Sequence, residues 1–278
     1  SVTASFVGRR NYSADEIKLA CAEGVKQAHY GWTYTPDDRE ADLNVRLFIE
    51  QETAYVGVRL AAEPLQNRPY KEAHIPGSLK PPVAAALGWL AGVRGGGGGT
   101  RLVDPCCGAG TILIEAARGG ARAVGGDIDP DAVTATRVNA ARARRRDAAQ
   151  EEAGPPQPSG SWRRTEASPV TEGVRNPEPL RLPLALQRWD ARRLPLATGA
   201  VPMLATNPPW GRKVGVEVAM ARFYTRLGAE VARVLAPGGR AVVLAHAPLL
   251  VRAWPLRVVR RMEISVYGQT PVVMVLER

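Results

Sequence analysis

Three cysteines in 278 residues, two of them adjacent as Cys106-Cys107, are too few and too irregularly spaced for a disulfide framework or a metal knuckle. Three histidines, His29, His74 and His246, are scattered along the chain, and without Cys or His partners at ligand spacing no metal is assigned. No apolar run approaches the roughly twenty residues that a membrane helix needs, and the first residues do not look like a signal peptide. No membrane association is expected, and the cytoplasm is the natural compartment.

The chain is long enough for one large α/β domain and a small module, each with its own core. Its formal charge is +10, from 37 Lys+Arg against 27 Asp+Glu. The excess is lopsided. Residues 1–94 hold 11 of each sign, whereas residues 95–278 hold 26 basic and 16 acidic groups, so all of the surplus lies in the second part. Arginine dominates it, and arginine suits phosphate. A nucleic acid partner agrees with that charge, as does the blander reading that a chain rich in Ala, Arg, Gly and Pro uses Arg as its surface cation.

The most informative run is Asp104-Pro-Cys-Cys-Gly-Ala-Gly-Thr-Ile-Leu-Ile114, preceded by the β-rich Thr100–Val103 and followed by the helix-forming Ile112–Ala117. It reads as strand, glycine turn and helix. Gly108 and Gly110 remove side chains where backbone passes close to a ligand, and the helix N-terminus offers free N–H groups. No Gly-Lys-Ser/Thr follows, which excludes a Walker phosphate loop, and the dinucleotide glycine spacing breaks after Gly110. Asp104 at the strand tip would repel a pyrophosphate but suits an ammonium group, as in S-adenosylmethionine. The second strand, Ala121–Gly126, ends in Asp127, about twenty residues beyond the turn, where an acid can accept from both ribose hydroxyls. Each piece also has a plain structural reading, since Asp129-Pro130 would serve as an ordinary helix start. In series they favour an adenosine without phosphates.

Asn207-Pro-Pro-Trp210 follows Val201–Thr206, an apolar run expected as the buried fourth strand. Two prolines fix φ and hold their carbonyls outward as acceptors, and the Asn207 amide oxygen supplies another. An amine on a base ring donates two hydrogen bonds, so paired acceptors can aim its lone pair at a methyl group. Trp210 would stack on a base swung out of its helix.

These residues resemble the Rossmann-fold methyltransferases that modify exocyclic amines of nucleic acid bases. His74–Leu87 is similar to the segment before the first strand in THUMP-domain tRNA guanine-N2 methyltransferases, and Asn11–Ile17, Ala41–Ile49 and Ala54–Leu60 resemble the second half of a THUMP domain. The resemblance implies a seven-stranded, mostly parallel sheet with an antiparallel closing strand, preceded by a partial α+β module. It implies S-adenosylmethionine held by Ser78, Asp104, Cys106, Gly108, Gly110, Thr111, Asp127, Ile128, Asp190, Ala191 and Asn207. Catalysis would lie with Asn207, Pro208, Pro209 and Trp210, Asp190-Ala191 being where such families contact the adenine amine. The expected partner is tRNA, methylated at guanine N2 in the acceptor stem, with the protein taken as a monomer. A complete THUMP region needs more chain than precedes the linker and Ser1 is not a methionine, so the N-terminus is expected to be truncated or processed.

Punctuation sets the organisation: a THUMP-like module over 1–62, a proline-bearing linker over 63–82, and a methyltransferase domain over 83–278. Ser13-Ala-Asp-Glu16 has the form of a capping box opening a helix to about Gln27, and strands are expected at 43–50 and 54–60. Pro82–Val93 is expected as a helix and Gly95–Gly99 as a flexible loop. A helix from Ala132 through Asn139 should give way to a solvated insertion over 142–181, where Arg, Pro, Ser and Gly leave little apolar periodicity. Leu186–Asp190 resumes the fold, Ala219–Leu235 forms an amphipathic helix, Pro237–Gly239 turns, Arg240–His246 is the fifth strand, and Arg261–Tyr267 with Pro271–Glu277 closes the sheet. The expected chemistry is direct methyl transfer. Cys106 and Cys107 sit in the cofactor loop and not in the Pro-Pro loop, which argues against covalent pyrimidine methylation. Two alternatives remain open: an rRNA or DNA amino-methyltransferase acting on guanine N2 or adenine N6, and an RNA-binding module without turnover.

Overall fold

A computed structural model describes residues 1–60, 64–95, 99–153, 183–211, 217–266 and 268–278, which form two compact units, Ser1–Leu65 and Gln66–Arg278. Most of the sequence-expected insertion, residues 154–181, lies outside the described residues, as do residues 96–98 of the glycine run.

The first unit places β1 (Val2–Phe6) parallel to β2 (Val45–Glu50), which pairs antiparallel with β3 (Thr53–Val58); α1 (Ala14–Ala28) joins the first two strands. The capping box at its start is complete. Ser13 Oγ accepts from the Glu16 N–H at 3.2 Å, and Glu16 Oε2 accepts from the Ser13 N–H at 2.7 Å, which satisfies two otherwise orphaned donors. Asp38 ties the unit's start to β2: its carboxylate accepts from Ser1 Oγ and from Arg46 Nη2, both at 2.7 Å. The Ser1 bond foremost, with the Arg46 and Arg59 charges, holds its pKa below the ordinary carboxylate value.

In the second unit, α2 (Pro81–Ala91) precedes β4 (Arg101–Asp104), α3 (Thr111–Arg118), β5 (Arg122–Asp127) and α4 (Pro130–Ala153). Then follow β6 (Leu184–Arg188), β7 (Val201–Thr206), α5 (Glu217–Val234), β8 (Leu235–Ala245), α6 (Pro248–Arg252), β9 (Arg257–Glu263) and β10 (Val272–Glu277). The seven strands are ordered β6-β5-β4-β7-β8-β10-β9, with β10 antiparallel to both neighbours and the other pairs parallel. This is the expected mostly parallel sheet with an antiparallel closing strand. Its central strands are mainly apolar because both faces are covered. Leu102, Val242 and Leu244 face one core with Leu113 and Ile114, while Val103, Val243 and Ala245 face the other with Leu227 and Val231. The expected turn at Pro237–Gly239 is instead carried within β8 as an irregularity, where the register to β7 slips between Val201 and Met203.

Two boundary expectations are corrected. The expected linker becomes, from Gln66 onward, part of the second unit: Tyr70 is buried and its hydroxyl donates to Glu115 Oε1 at 2.7 Å. The helix expected to run through Asn139 and give way to the insertion from residue 142 continues to Ala153. Its buried positions, including Ala132, Thr136, Asn139, Ala140, Ala143 and Asp147, recur at helical spacing beneath exposed Arg144, Arg145 and Arg146, so polar composition concealed an amphipathic helix.

Asn139 joins these elements. Its Oδ1 accepts from the Glu72 and Ala73 N–H groups at 3.0 and 2.9 Å, and its Nδ2 donates to the Ala73 and Ala109 carbonyls, both at 3.0 Å. Asn139→Leu would leave these backbone groups without partners and should cost roughly 2–5 kcal/mol of unfolding free energy after partial relaxation. Urea denaturation checks this; a loss under about 1 kcal/mol would show that the strap is dispensable.

Candidate active site

Strand order reverses between β4 and β7, and in open α/β sheets such a reversal leaves a crevice beyond the carboxyl ends of the strands. A cleft of about 1120 Å³ lies there. Asp104 ends β4 and is 1% exposed. Its Oδ1 accepts from the Cys106 N–H at 3.1 Å, while Oδ2 is buried without a hydrogen bond. The Thr206 hydroxyl, on the adjacent strand, is near enough to favour the carboxylate but lacks hydrogen-bond geometry and is itself buried without a partner. Burial dominates and pushes the Asp104 carboxyl up to about 7, with the Asp127 charge adding to the rise.

The loop after Asp104 is fixed by side chains from elsewhere in the unit. Trp189 Nε1 donates to the Pro105 carbonyl at 3.0 Å, Thr136 Oγ1 to the Gly108 carbonyl at 2.7 Å, and Asn139 to Ala109. Gly108 donates its N–H to Asp127 Oδ2 at 3.0 Å. Gly108 lines the cleft, with φ of 52° and open space where a Cβ would stand. Gly110, expected where backbone passes close to a ligand, carries a packing constraint of its own. It lies outside the cleft lining, caps α3 at φ of 78°, and a Cβ there would sit 2.5 Å from Thr136 Cγ2.

Thr111, Asp127, Ile128, Asp190 and Ala191 line the same cleft, as do Ser78 and Cys106. Asp127 Oδ1 accepts from the Asp129 N–H at 3.1 Å, so each of its oxygens is oriented by backbone and retains a lone pair. Ile128 is 54% exposed, an apolar platform at the cleft wall. Asp190 is gripped by Arg192: Nη2 lies 2.7 Å from Oδ2 and Nε 2.9 Å from Oδ1. That grip holds the Asp190 pKa below its ordinary value. The two thiols go the other way. Burial pushes Cys106 and Cys107 upward, with the Asp104 charge adding in both cases, so neither is a thiolate near neutral pH.

Across the cleft, Asn207 Nδ2 donates to the Gly77 carbonyl at 3.2 Å and Trp210 Nε1 donates to Asn207 Oδ1 at 2.9 Å. The carboxamide is therefore oriented from both ends, and Oδ1 keeps a second lone pair. Pro208, Pro209 and Trp210 also line the cleft. Of the two proline carbonyls expected to point outward, that of Pro209 accepts from the Tyr224 hydroxyl at 3.2 Å. The Trp210 ring stacks on His246, with centroids 5.4 Å apart and planes 13° apart. Among the described residues no cluster of His, Cys, Asp and Glu could hold a metal ion, and no helix is long and apolar enough to cross a membrane.

Residues 68–154 and 176–270 match the RMKL-like methyltransferase domain. The chain belongs to this methyltransferase family. It is 32% identical over 286 residues to the tRNA (guanine(6)-N2)-methyltransferase of Thermus thermophilus, covering 100% of this chain and 72% of that protein. It is 28% identical over 247 residues to the tRNA (guanine(6)-N(2))-methyltransferase THUMP3 of Bos taurus, covering 87% of this chain and 43% of that one. The crystal structure of TrmN from Thermus thermophilus aligns at a TM-score of 0.65 and 26% identity, covering 100% of this chain and 71% of that structure. This methyltransferase thus spans less than half of its bovine relative.

The sequence reading overlooked Thr136, Asn139, Trp189, Tyr224 and His246 as supports of the methyltransferase site. Thr136 and Asn139, three apart on the helix that follows Asp127, left the one usable signal: polar residues on the stripe that should face the sheet. The two glycines separate structural from ligand-facing demands. Gly110→Ala should lose at least about 1 kcal/mol of stability, from left-handed backbone and the Thr136 clash. Gly108→Ala should fold with a smaller loss and bind cofactor more weakly, because its methyl group enters the cleft. Denaturation with calorimetric titration distinguishes them; equal stability losses, or unchanged affinity in Gly108→Ala, would contradict the assignment.

Proposed function

We propose that this methyltransferase transfers a methyl group from S-adenosylmethionine to guanine N2 in the acceptor stem of tRNA. The observation that carries the reading is the juxtaposition in one cleft of a buried carboxylate oxygen with no hydrogen bond, on Asp104, and the oriented Asn207 carboxamide. The names of the Thermus and bovine relatives support tRNA and guanine N2.

The cleft fits S-adenosylmethionine by the chemistry of its donors and acceptors. Asp104 Oδ2 matches an ammonium, Asp127 matches the ribose hydroxyls, and the exposed Ile128 gives an adenine ring an apolar surface. Asp190 meets the adenine amine by sharing its carboxylate with Arg192. When bound, S-adenosylmethionine supplies a methyl group already activated on a sulfonium sulfur. The residues of this chain contribute orientation and exclusion of water. The second lone pair of Asn207 Oδ1 and the Pro208 carbonyl accept the two N–H bonds of the exocyclic amine, which turns its nitrogen lone pair toward the cleft. Trp210 covers the base. The methylated nitrogen, made acidic by transfer, then gives up its extra proton to solvent water. The three-stranded unit Ser1–Leu65 serves as a partial THUMP-like RNA-binding module, and arginines of residues 95–278 meet phosphate.

Because burial pushes the Asp104 carboxyl up to about 7, an incoming ammonium must first find it ionised. Cofactor affinity should therefore rise with pH through about 7 and level off above, and binding at about pH 6 should release a proton. Calorimetry in buffers of different ionisation enthalpy measures this; release should vanish in Asp104→Asn, and buffer-independent heats in the unmodified protein would remove Asp104 from the ammonium site.

Mass spectrometry of nucleosides from treated tRNA tests the reaction itself. N2-methylguanosine is expected, with RNA affinity falling steeply as salt rises. N6-methyladenosine as the sole product, or methylation of rRNA with tRNA untouched, would overturn the reading.

A further inference from the structure

His246 has no part in the cofactor cleft, yet it is positioned to govern the substrate side. Strands β7 and β8 run parallel with Thr206 opposite Val243, so the residues just beyond them, Asn207–Trp210 and His246, emerge side by side at the same end of the sheet. Trp210 lines the cleft and His246 does not, although the rings are stacked nearly parallel. Such offset stacks are favourable and restrict the rotation of both rings. The same indole donates its N–H to Asn207 Oδ1, and Asn207 Nδ2 reaches the Gly77 carbonyl. Rotation of the Trp210 ring would withdraw that N–H and release one end of the carboxamide.

We propose that His246 is a positioning residue for methyl transfer: its imidazole braces the Trp210 indole, which in turn fixes the Asn207 carboxamide that receives the substrate amine. The inference rests on the proposed amine-methylating function. It assigns His246 a packing role and no proton transfer. A flat ring of similar size should therefore replace it, whereas a methyl group should not. Since His246 is exposed and outside the core, loss of its ring leaves the core of the unit untouched.

Two measurements on the whole chain decide it. The first needs no RNA. Tryptophan emission should change between the unmodified protein and His246→Ala, and that difference should disappear in a Trp210→Phe background. The second is steady-state transfer to tRNA. His246→Ala should lose about ten- to hundredfold in kcat, the scale of a misplaced reacting group, with cofactor affinity unchanged, and His246→Phe should recover most of that loss. Undiminished kcat in His246→Ala overturns the proposal. So does a His246→Phe as slow as His246→Ala, which would indicate proton transfer, or an emission difference that survives without Trp210. If the unmodified protein transfers no methyl group to tRNA, the substrate reading fails, and the bracing of Trp210 is still judged by emission.

Discussion

The Asn139 carboxamide meets backbone groups of two segments that the sheet alone would not join: Glu72 and Ala73 ahead of α2, 67 and 66 residues away from it, and Ala109 in the loop after β4, 30 residues away. Three turns of consequence follow from this one side chain. The segment before α2 is pinned across the cleft, where Lys71 donates to the Leu79 carbonyl and Gly77 is brought within reach of Asn207. The cofactor loop is held from beneath, together with the Thr136 bond to Gly108. Helix α4 is locked in rotation, which keeps its arginines outward. A buried amide with all four positions engaged is tolerable only in this complete form, because each missing bond would leave a desolvated group unpaired.

The opposite policy holds at Asp104. Its Oδ2 is buried without a hydrogen bond, and burial disfavours the ionised carboxyl more than the nearby Thr206 hydroxyl and the Cys106 N–H favour it. The sign of the linkage is clear: with its pKa raised above the unfolded value, the folded protein holds this proton more tightly, so the residue's contribution to stability declines as pH rises from the ordinary carboxylate range to about 7. Sites of binding commonly retain such locally unfavourable groups. Here the carboxyl lies between strands whose residues Leu102, Val103, Leu204 and Ala205 are fully buried, and it lines the cleft.

How much of this was legible in the sequence depended on the range of the interaction responsible. The strand Val201–Thr206 was readable to the residue because an apolar run ending at Asn-Pro-Pro has only one way to sit in a parallel sheet. The Asp104 and Asp127 positions followed from strand, turn and spacing. Asn139 and Thr136 did not, because a polar residue on an arginine-rich helix looks like surface until the carbonyls it serves are brought beside it. For the same reason Gln66–Lys80, with its prolines and glycine, suggested a linker: the partners of Tyr70 and Glu72 lie on α3 and α4, far along the chain. Gly110 was recognised as necessary, but not the neighbour that constrains it, because Thr136 reaches it from α4 only in the folded chain.

The two walls of the cleft are consequently held in physically different ways. On the cofactor side, donors on α4 and at Trp189 fix the carbonyls of Pro105, Gly108 and Ala109, so displacing the loop would break several hydrogen bonds at once, two of them buried. On the substrate side, the Asn207 loop hangs on bonds to Gly77, Trp210 and Tyr224 and on an aromatic stack whose outer ring is exposed. Each of these is worth about 1 kcal/mol, and those to Gly77 and His246 lie at the surface, where solvent or ligand can replace them without unfolding the core. A rigid cofactor wall suits a donor of fixed shape, where a small displacement would misalign the transferred group. A wall held by separable contacts suits a base that has to enter from a larger nucleic acid, because the loop can adjust to it while the sheet beneath stays in place.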